Sequence, residues 1–401
     1  MLTSLAFVFL VGAGFAAVCQ RLRLPRIIGM LIAGILLGPH VLNLLDGSIL
    51  AISADLRHMA LVIILIKAGL SLSLPDLKAI GRPAILMAFL PASFEIAAFV
   101  LFAPAVLGIS RGEAAIMGAV LGAVSPAVVV PRMVQLIEEN YGTNKRIPQM
   151  ILAGSSLDDV FVIILFEAFT GMAQGEGVSA LSFFKIPVSI VLGIGLGAAA
   201  GLLLAFLFEN SYAHRRLIKN SMKVIVILGT AFGLLAAEEL LSGVVPVSGL
   251  LAVMSMAMVI ATKSVPEVTG RLREKYGKIW IAAEIVLFVL VGAAVDIRYT
   301  FQTGLGAVWM LAIGLLFRSV GVALCTLGTG LNARERIYCV VAYLPKATVQ
   351  AAIGGVPLSL GLPCGNIVLS VAVLSILVTA PLGATGMDLS YRKLLTRETG
   401  G

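Results

Sequence analysis

The sequence predicts an all-α polytopic membrane protein of about 13 transmembrane helices, built as inverted repeats with two discontinuous crossing helices. Three observations predict this. Hydrophobic residues make up 59% of the 401 positions, charged residues only 12%, and mean hydropathy is +1.05. Soluble domains carry about 25% charged residues. The apolar residues fall into thirteen windows near the ~20 residues that a helix needs to cross hydrocarbon. Two of these windows, at matching places in the two halves, carry prolines well inside them.

The windows run over 2–19, 25–44, 58–74, 83–108, 113–137, 147–173, 186–208, 221–241, 245–262, 278–295, 302–328, 336–357 and 363–386. Basic residues orient them. With the N-terminus outside, seven cytoplasmic segments hold 22 Lys and Arg. They are Arg21, Arg23, Arg26; Lys78, Arg82; Arg132, Lys145, Arg146; Arg215, Arg216, Lys219, Lys223; Lys263, Arg271, Arg273, Lys275, Lys278; Arg334, Arg336; and Arg392, Lys393, Arg397. The outside loops hold only Arg57, Arg111, Lys185 and Arg298. The positive-inside rule therefore puts the C-terminus in the cytoplasm. A prokaryotic inner membrane is the expected location. The +8 net charge reflects topology, with contact to anionic lipid as a further expectation. Spread over seven segments, it is no nucleic-acid footprint. No cleavable signal peptide is evident after Met1.

Lys67, Arg318 and Lys346 remain within windows, as do Glu95, Asp158, Asp159, Glu167 and Glu284. Intramembrane ionisable groups pair with one another or line an aqueous path. Glu167 and Glu284 lie toward window ends and read as interfacial, and Lys67 is placed to snorkel. Asp158 and Asp159 differ. They are adjacent inside Ile151–Leu165, where apolar sequence continues for more than two turns beyond them. Each carboxylate costs about 2.5–3.5 kcal/mol at the bilayer centre, and the two repel. Such a pair is expected where ions or protons are handled.

The halves resemble each other. Ile66–Leu72 matches Leu290–Asp296, and Arg26–Ala33 matches Pro246–Val253, which equates Gly29 with Gly249. Aligned on Gly69 and Gly292, Glu95 in span four meets Arg318 in span eleven. Seven spans separate the mates, so the copies are inverted. The first repeat covers 2–208 with its linking seventh span, and the second covers 221–386. Inverted repeats place transporter sites at the midplane between broken helices. The breaks are expected at Pro126 in span five and Pro345 in span twelve, because proline removes a donor and clashes with the preceding turn. Glu95 and Arg318 are expected to form a buried ion pair, with Asp158 as the competing partner of Arg318. Lys346 either neutralises carbonyl ends at the second break or snorkels to the surface.

At these residues the chain resembles a known family. Ser125–Pro131 (SPAVVVP), the AGSSLDDV stretch from Ala153 and LPKATVQAAIG from Leu344 are similar to the cation:proton antiporter superfamily, and most of all to its NHA branch of sodium/proton antiporters. The resemblance runs over nearly the whole chain. It implies the sodium/proton antiporter fold in a homodimer of 13-helix protomers. Spans 4–6 and 11–13 would form an ion-carrying core, the remaining spans a dimerisation domain, with elevator-type alternating access. On this pattern Asp159 carries the ion or proton, Asp158 shapes the site as a second Na⁺ or Li⁺ ligand, and Ser125 and Ser155 line it. The chain departs from electrogenic relatives at Arg318, where they place a lysine. Arginine does not give up a proton.

The expected function is exchange of monovalent cations, Na⁺ or Li⁺, for protons, in the service of pH homeostasis. Proton and cation compete for one desolvated carboxylate. The same architecture could instead move K⁺ or an organic anion. No cofactor is expected, and no enzyme. The glycine-rich run Gly193–Gly197 lies in an apolar helix and reads as packing. His40, His58 and His214 do not form a metal cluster, and Cys19, Cys325, Cys339 and Cys364 read as small buried hydrophobes.

Overall fold

A computed structural model describes residues 1–22, 24–71, 81–174, 180–213, 219–241, 245 and 247–397. Arg23, Lys78, His214, Arg215, Arg216, Pro246 and the last residues of the third predicted span, 72–74, lie outside the described residues. Helices α1 (Leu2–Arg21), α2 (Arg26–Leu37), α3 (Gly47–Ala51) and α4 (Ser53–Ser71) come first. Then follow α5 (Arg82–Leu107), α6 (Arg111–Leu121), α7 (Pro126–Glu138) and α8 (Ile147–Ala173). Helices α9 (Ala180–Ala213), α10 (Asn220–Leu241), α11 (Gly249–Lys263) and α12 (Pro266–Ala293) lead to α13 (Ile297–Cys325). The chain closes with α14 (Ala333–Ala342), α15 (Thr348–Ile353), α16 (Val356–Ser359) and α17 (Gly365–Leu394).

Each predicted span falls on one helix or on a helix–break–helix pair. Among the described residues, nine helical stretches are long and apolar enough to cross a membrane, and α2 and α11 are shorter apolar helices. The protein is an integral, multi-pass membrane protein. Faces of α1, α9 and α10 leave Leu10, Phe206 and Ile225 exposed, as helices against lipid must.

Helix ends depart from the apolar windows. Helix α12 starts at Pro266, so Arg271, Arg273, Lys275 and Lys278 lie on a helix and not in a loop. Helix α17 runs on to Leu394 and carries Asp388, Arg392 and Lys393. Hydropathy marks where hydrocarbon ends, whereas a helix continues while its own ladder holds; Glu274 and Lys278 pair one turn apart at 2.6 Å on such an extension. Arg57, also read as a loop residue, lies in α4 and is 8% exposed.

Contacts divide the chain into two compact units. One holds Met1–Arg57, Asp76–Gln174 and Ile285–Gly401, and the other His58–Pro75 and Gly175–Glu284. In the second unit, Gly193, Gly197 and Gly201 of α9 seat their backbone against Ser248, the N-cap of α11, and against Ala252 and Met256 of α11. That one-turn glycine spacing is a membrane helix-packing device, so the glycine-rich run is packing.

Packing also fixes the register of the repeat. Gly292 of α12 sits on the Leu31 carbonyl of α2 and beside Gly34. Gly69 of α4 sits in the same way on the Met254 carbonyl of α11 and beside Ala257. Gly69 and Gly292, Leu31 and Met254, and Gly34 and Ala257 are all 223 positions apart, as are Glu95 and Arg318. The equation of Gly29 with Gly249 is therefore three residues out of register. Short Gly/Leu-rich matches tolerate such slips, and backbone contacts do not.

Among the described residues, two predicted spans are broken helices. Helix α6 opens with a capping box, Ser110 with Glu113, and stops at Leu121. The chain restarts as α7 with Pro126 at its first position, where a missing N–H costs nothing. Helix α14, capped by Asn332 and Glu335, stops at Ala342, and α15 restarts at Thr348. The breaks cross each other: the Ser125 N–H donates to the Pro345 carbonyl at 2.8 Å. Pro345 packs against Gly383 of α17, where a side chain would collide with its ring.

Candidate ion-binding site

Unwinding leaves backbone groups that lipid cannot satisfy. Buried side chains satisfy them here. The Leu121 carbonyl accepts from Lys346 Nζ, the Gly122 carbonyl from Arg318 Nη1, and the Ala123 carbonyl from Gln350 Nε2 at 2.9 Å. The Val124 N–H donates to Asp158 Oδ2 at 2.8 Å. Gln350 and Asp158 thus hold opposite edges of one trans peptide group. The Ser125 and Thr348 hydroxyl oxygens meet at 3.4 Å. The Lys346 N–H donates to Thr379 Oγ1 of α17 at 2.9 Å.

Arg318 of α13 is completely buried, and it joins both candidate acids. Its Nη1 lies 3.0 Å from Glu95 Oε2 and its Nη2 2.8 Å from Asp158 Oδ2, while its Nε donates to the Tyr343 carbonyl at 2.7 Å. The two pairings set against each other in the sequence coexist. The planar fork of arginine makes this possible, since its donors point in different directions at once. Lys346 is also 0% exposed, and its Nζ lies 2.7 Å from Glu95 Oε1. Burial removes the snorkelling alternative. Lys346 serves a helix end, Leu121, and also an acid from a distant helix.

The aspartates are not alike. Asp158 is fully buried, with Oδ2 shared by Val124 and Arg318. Asp159 is half-buried, and its buried Oδ1 has no hydrogen-bond partner. Ser155 is buried one turn before Asp159, and its hydroxyl donates to the Leu152 carbonyl at 3.1 Å. Counting formal charges, Arg318 and Lys346 face Glu95, Asp158 and Asp159. The cluster carries one negative charge more than neutrality requires.

Tyr343, Thr348, Gln350 and Thr379 enter this site without having been singled out in the sequence. Thr348 was legible in principle, because it lies one repeat length from Ser125. Elsewhere, Lys67 lies over the Trp280 ring at 5.8 Å in the second unit. The four cysteines are buried and free.

Fold and site together define a polytopic membrane protein of the sodium/proton antiporter fold. A family profile described as "Sodium/hydrogen exchanger, transmembrane" matches residues 5–387. The chain belongs to this family. It is 33% identical over 386 residues to mouse sodium/hydrogen exchanger 9B2, covering 93% of this chain and 69% of that one. To human sodium/hydrogen exchanger 9B1 it is 30% identical over 394 residues, covering 93% and 73%. Its fold matches that of the sodium proton antiporter MjNhaP1 from Methanocaldococcus jannaschii with a TM-score of 0.83 at 19% identity, over 97% of each chain.

Proposed function

We propose that the protein exchanges Na⁺ or Li⁺ for protons at the Asp158–Asp159 centre. The observation that carries this reading is the charge imbalance of the buried cluster, together with the unpartnered oxygen of Asp159. Arg318 keeps its charge at any accessible pH, and it holds Asp158 and Glu95. Lys346 holds the other side of Glu95. Asp159 is left as the exchangeable anion. A proton or a cation at Asp159 makes the cluster neutral, and each displaces the other. Na⁺ and Li⁺ are hard ions suited to oxygen, which Asp159, Asp158 and the Ser125 and Ser155 hydroxyls supply.

Moving the bare cluster through hydrocarbon would carry a net charge into low dielectric, at a cost of several kcal/mol. The loaded cluster avoids that cost. Coupling follows without any further gate. We read spans 4–6 and 11–13 as the moving core of an elevator, the other spans as the dimerisation domain of a homodimer, and the N-terminus as outside. The names of the relatives support sodium/proton exchange. The test is dequenching of a pH dye in proteoliposomes, screened over Na⁺, Li⁺, K⁺ and Rb⁺. Response to Na⁺ or Li⁺ supports the reading. Response to K⁺ alone, or to no cation, overturns it.

A further inference from the structure

The start of α5, the turn before α8 and the linker from α13 to α14 enclose a crevice of about 290 Å³ within the first compact unit. Its walls are of two kinds. Pro83, Met150 and Leu331 are apolar, and Lys145 and Arg146 are basic. Ligand pockets begin at ~300 Å³, so the crevice suits a headgroup and not a whole lipid.

The cations are held in place. Glu335, 1% exposed, takes the Lys145 ammonium at 2.8 Å on Oε2, the oxygen that also closes the capping box of α14. Arg336 donates from Nε to the carbonyl of the wall residue Leu331 at 3.1 Å. Among the described residues, Arg336 has no ion pair, and neither has Arg82, next to Pro83, nor Arg334. Arg146 is the N-cap of α8 and keeps a left-handed backbone, φ 53°, uncommon for a residue other than glycine. These five basic residues stand at adjoining helix ends, in segments that the positive-inside rule puts on one side of the membrane. Glu335 offsets one of the five charges. Lys145 and Arg146 also stand at the positive end of α8, where cations are disfavoured. Crowding like charges in this way costs free energy that a bound anion returns.

The walls decide which anion. A soluble anion has no use for apolar surface. Three apolar residues beside cations, at the ends of membrane-spanning helices, match the junction between phosphate and acyl chain in a lipid. Basic pockets between membrane helices hold anionic headgroups. We propose that this crevice binds the phosphate headgroup of an anionic membrane lipid. Lys145, Arg146 and Arg336 contact the phosphate, and Pro83, Met150 and Leu331 take the glycerol and the first methylenes. Occupancy braces the starts of α5 and α8, the helices that carry Glu95 and Asp158.

Thermal midpoints of the detergent-solubilised protein test this without transport. Phosphatidylglycerol should raise the midpoint saturably, and phosphatidylcholine at the same mole fraction should not. Arg146→Gly removes the guanidinium and keeps the backbone, since glycine takes a positive φ without strain. Its lipid-free midpoint should hold. Half-saturation by phosphatidylglycerol should need about fivefold more lipid, the worth of one basic residue at an anionic membrane. Arg336→Gln should weaken binding to the same degree, and it decides the matter if Arg146→Gly fails to fold. Lys263→Gln removes an exposed charge at the end of α11, in the other compact unit, and should leave half-saturation unchanged. Equal weakening in Lys263→Gln would reduce the effect to diffuse surface charge and overturn the proposal. So would a flat response of the wild type to phosphatidylglycerol, or equal stabilisation by phosphatidylcholine. An equal shift with inorganic phosphate alone would show a site for free phosphate and overturn it too, as would unchanged half-saturation in both arginine variants.

Discussion

The hydroxyl oxygens of Ser125 and Thr348 lie 3.4 Å apart, and the residues are 223 positions apart in the chain. That separation is the repeat length. Residues related by a two-fold axis touch only where they lie on it. Glu95 and Arg318 have the same separation and pair at 3.0 Å. The pseudo-two-fold axis therefore runs through the charged cluster, and the site stands where the two inverted halves meet.

The two aspartates should fail differently. Asp159→Asn removes the exchangeable charge and should abolish cation-driven proton movement in proteoliposomes while the protein stays folded. Asp158→Asn should reduce both exchange and thermal stability, since the Val124 amide and Arg318 lose a charged acceptor. Wild-type exchange in Asp159→Asn would remove that residue from the site. With one positive charge replacing another, an imposed membrane potential should leave wild-type rates unchanged.

Arg318→Ala leaves Glu95 and Asp158 without their shared cation. Removing one member of a buried pair typically costs about 3–5 kcal/mol, so the thermal midpoint should fall clearly. Double-mutant cycles should show coupling of Arg318 both to Glu95 and to Asp158, and of Lys346 to Glu95. Coupling confined to one of the two arginine pairs would contradict the shared geometry.

Lys346→Met should impair transport or assembly, and Lys346→Arg should retain more of both, because two acceptors, Glu95 and the Leu121 carbonyl, need a cation there. A Lys346→Cys variant should resist a bulky impermeant thiol reagent. Ready modification, with transport intact in Lys346→Met, would argue for a surface anchor.

Arg57 lays its guanidinium on the backbone at Gly355, between α15 and α16, where a methyl group would collide with Nη1. Gly355→Ala should therefore lower the thermal midpoint by several degrees. Arg57→Met in the same background should restore part of the loss. Additive losses would show that the two sites do not communicate.

Much of this architecture was legible because hydrocarbon imposes a strict length rule. Each apolar window became a helix or a broken pair, and both breaks fall at the prolines. What escaped has physical reasons. The extensions of α12 and α17 leave hydrocarbon while remaining helical, so hydropathy cannot mark their ends. The partner of Lys346 is Glu95, 251 positions away, and no local pattern joins them. Gln350 and Tyr343 are neutral, so an inventory of intramembrane charge passes over them. Residue pairing by depth offers Arg318 one acid at a time, whereas its guanidinium serves Glu95 and Asp158 together.

The peptide group between Ala123 and Val124 has a mechanical consequence. Gln350 draws on its oxygen and Asp158 on its hydrogen, from two helices on opposite sides. Neither helix can slide past the linker without unpairing its own edge of that buried dipole. The linker behaves as a rivet that fixes Asp158 of α8 and Gln350 of α15 to one peptide group.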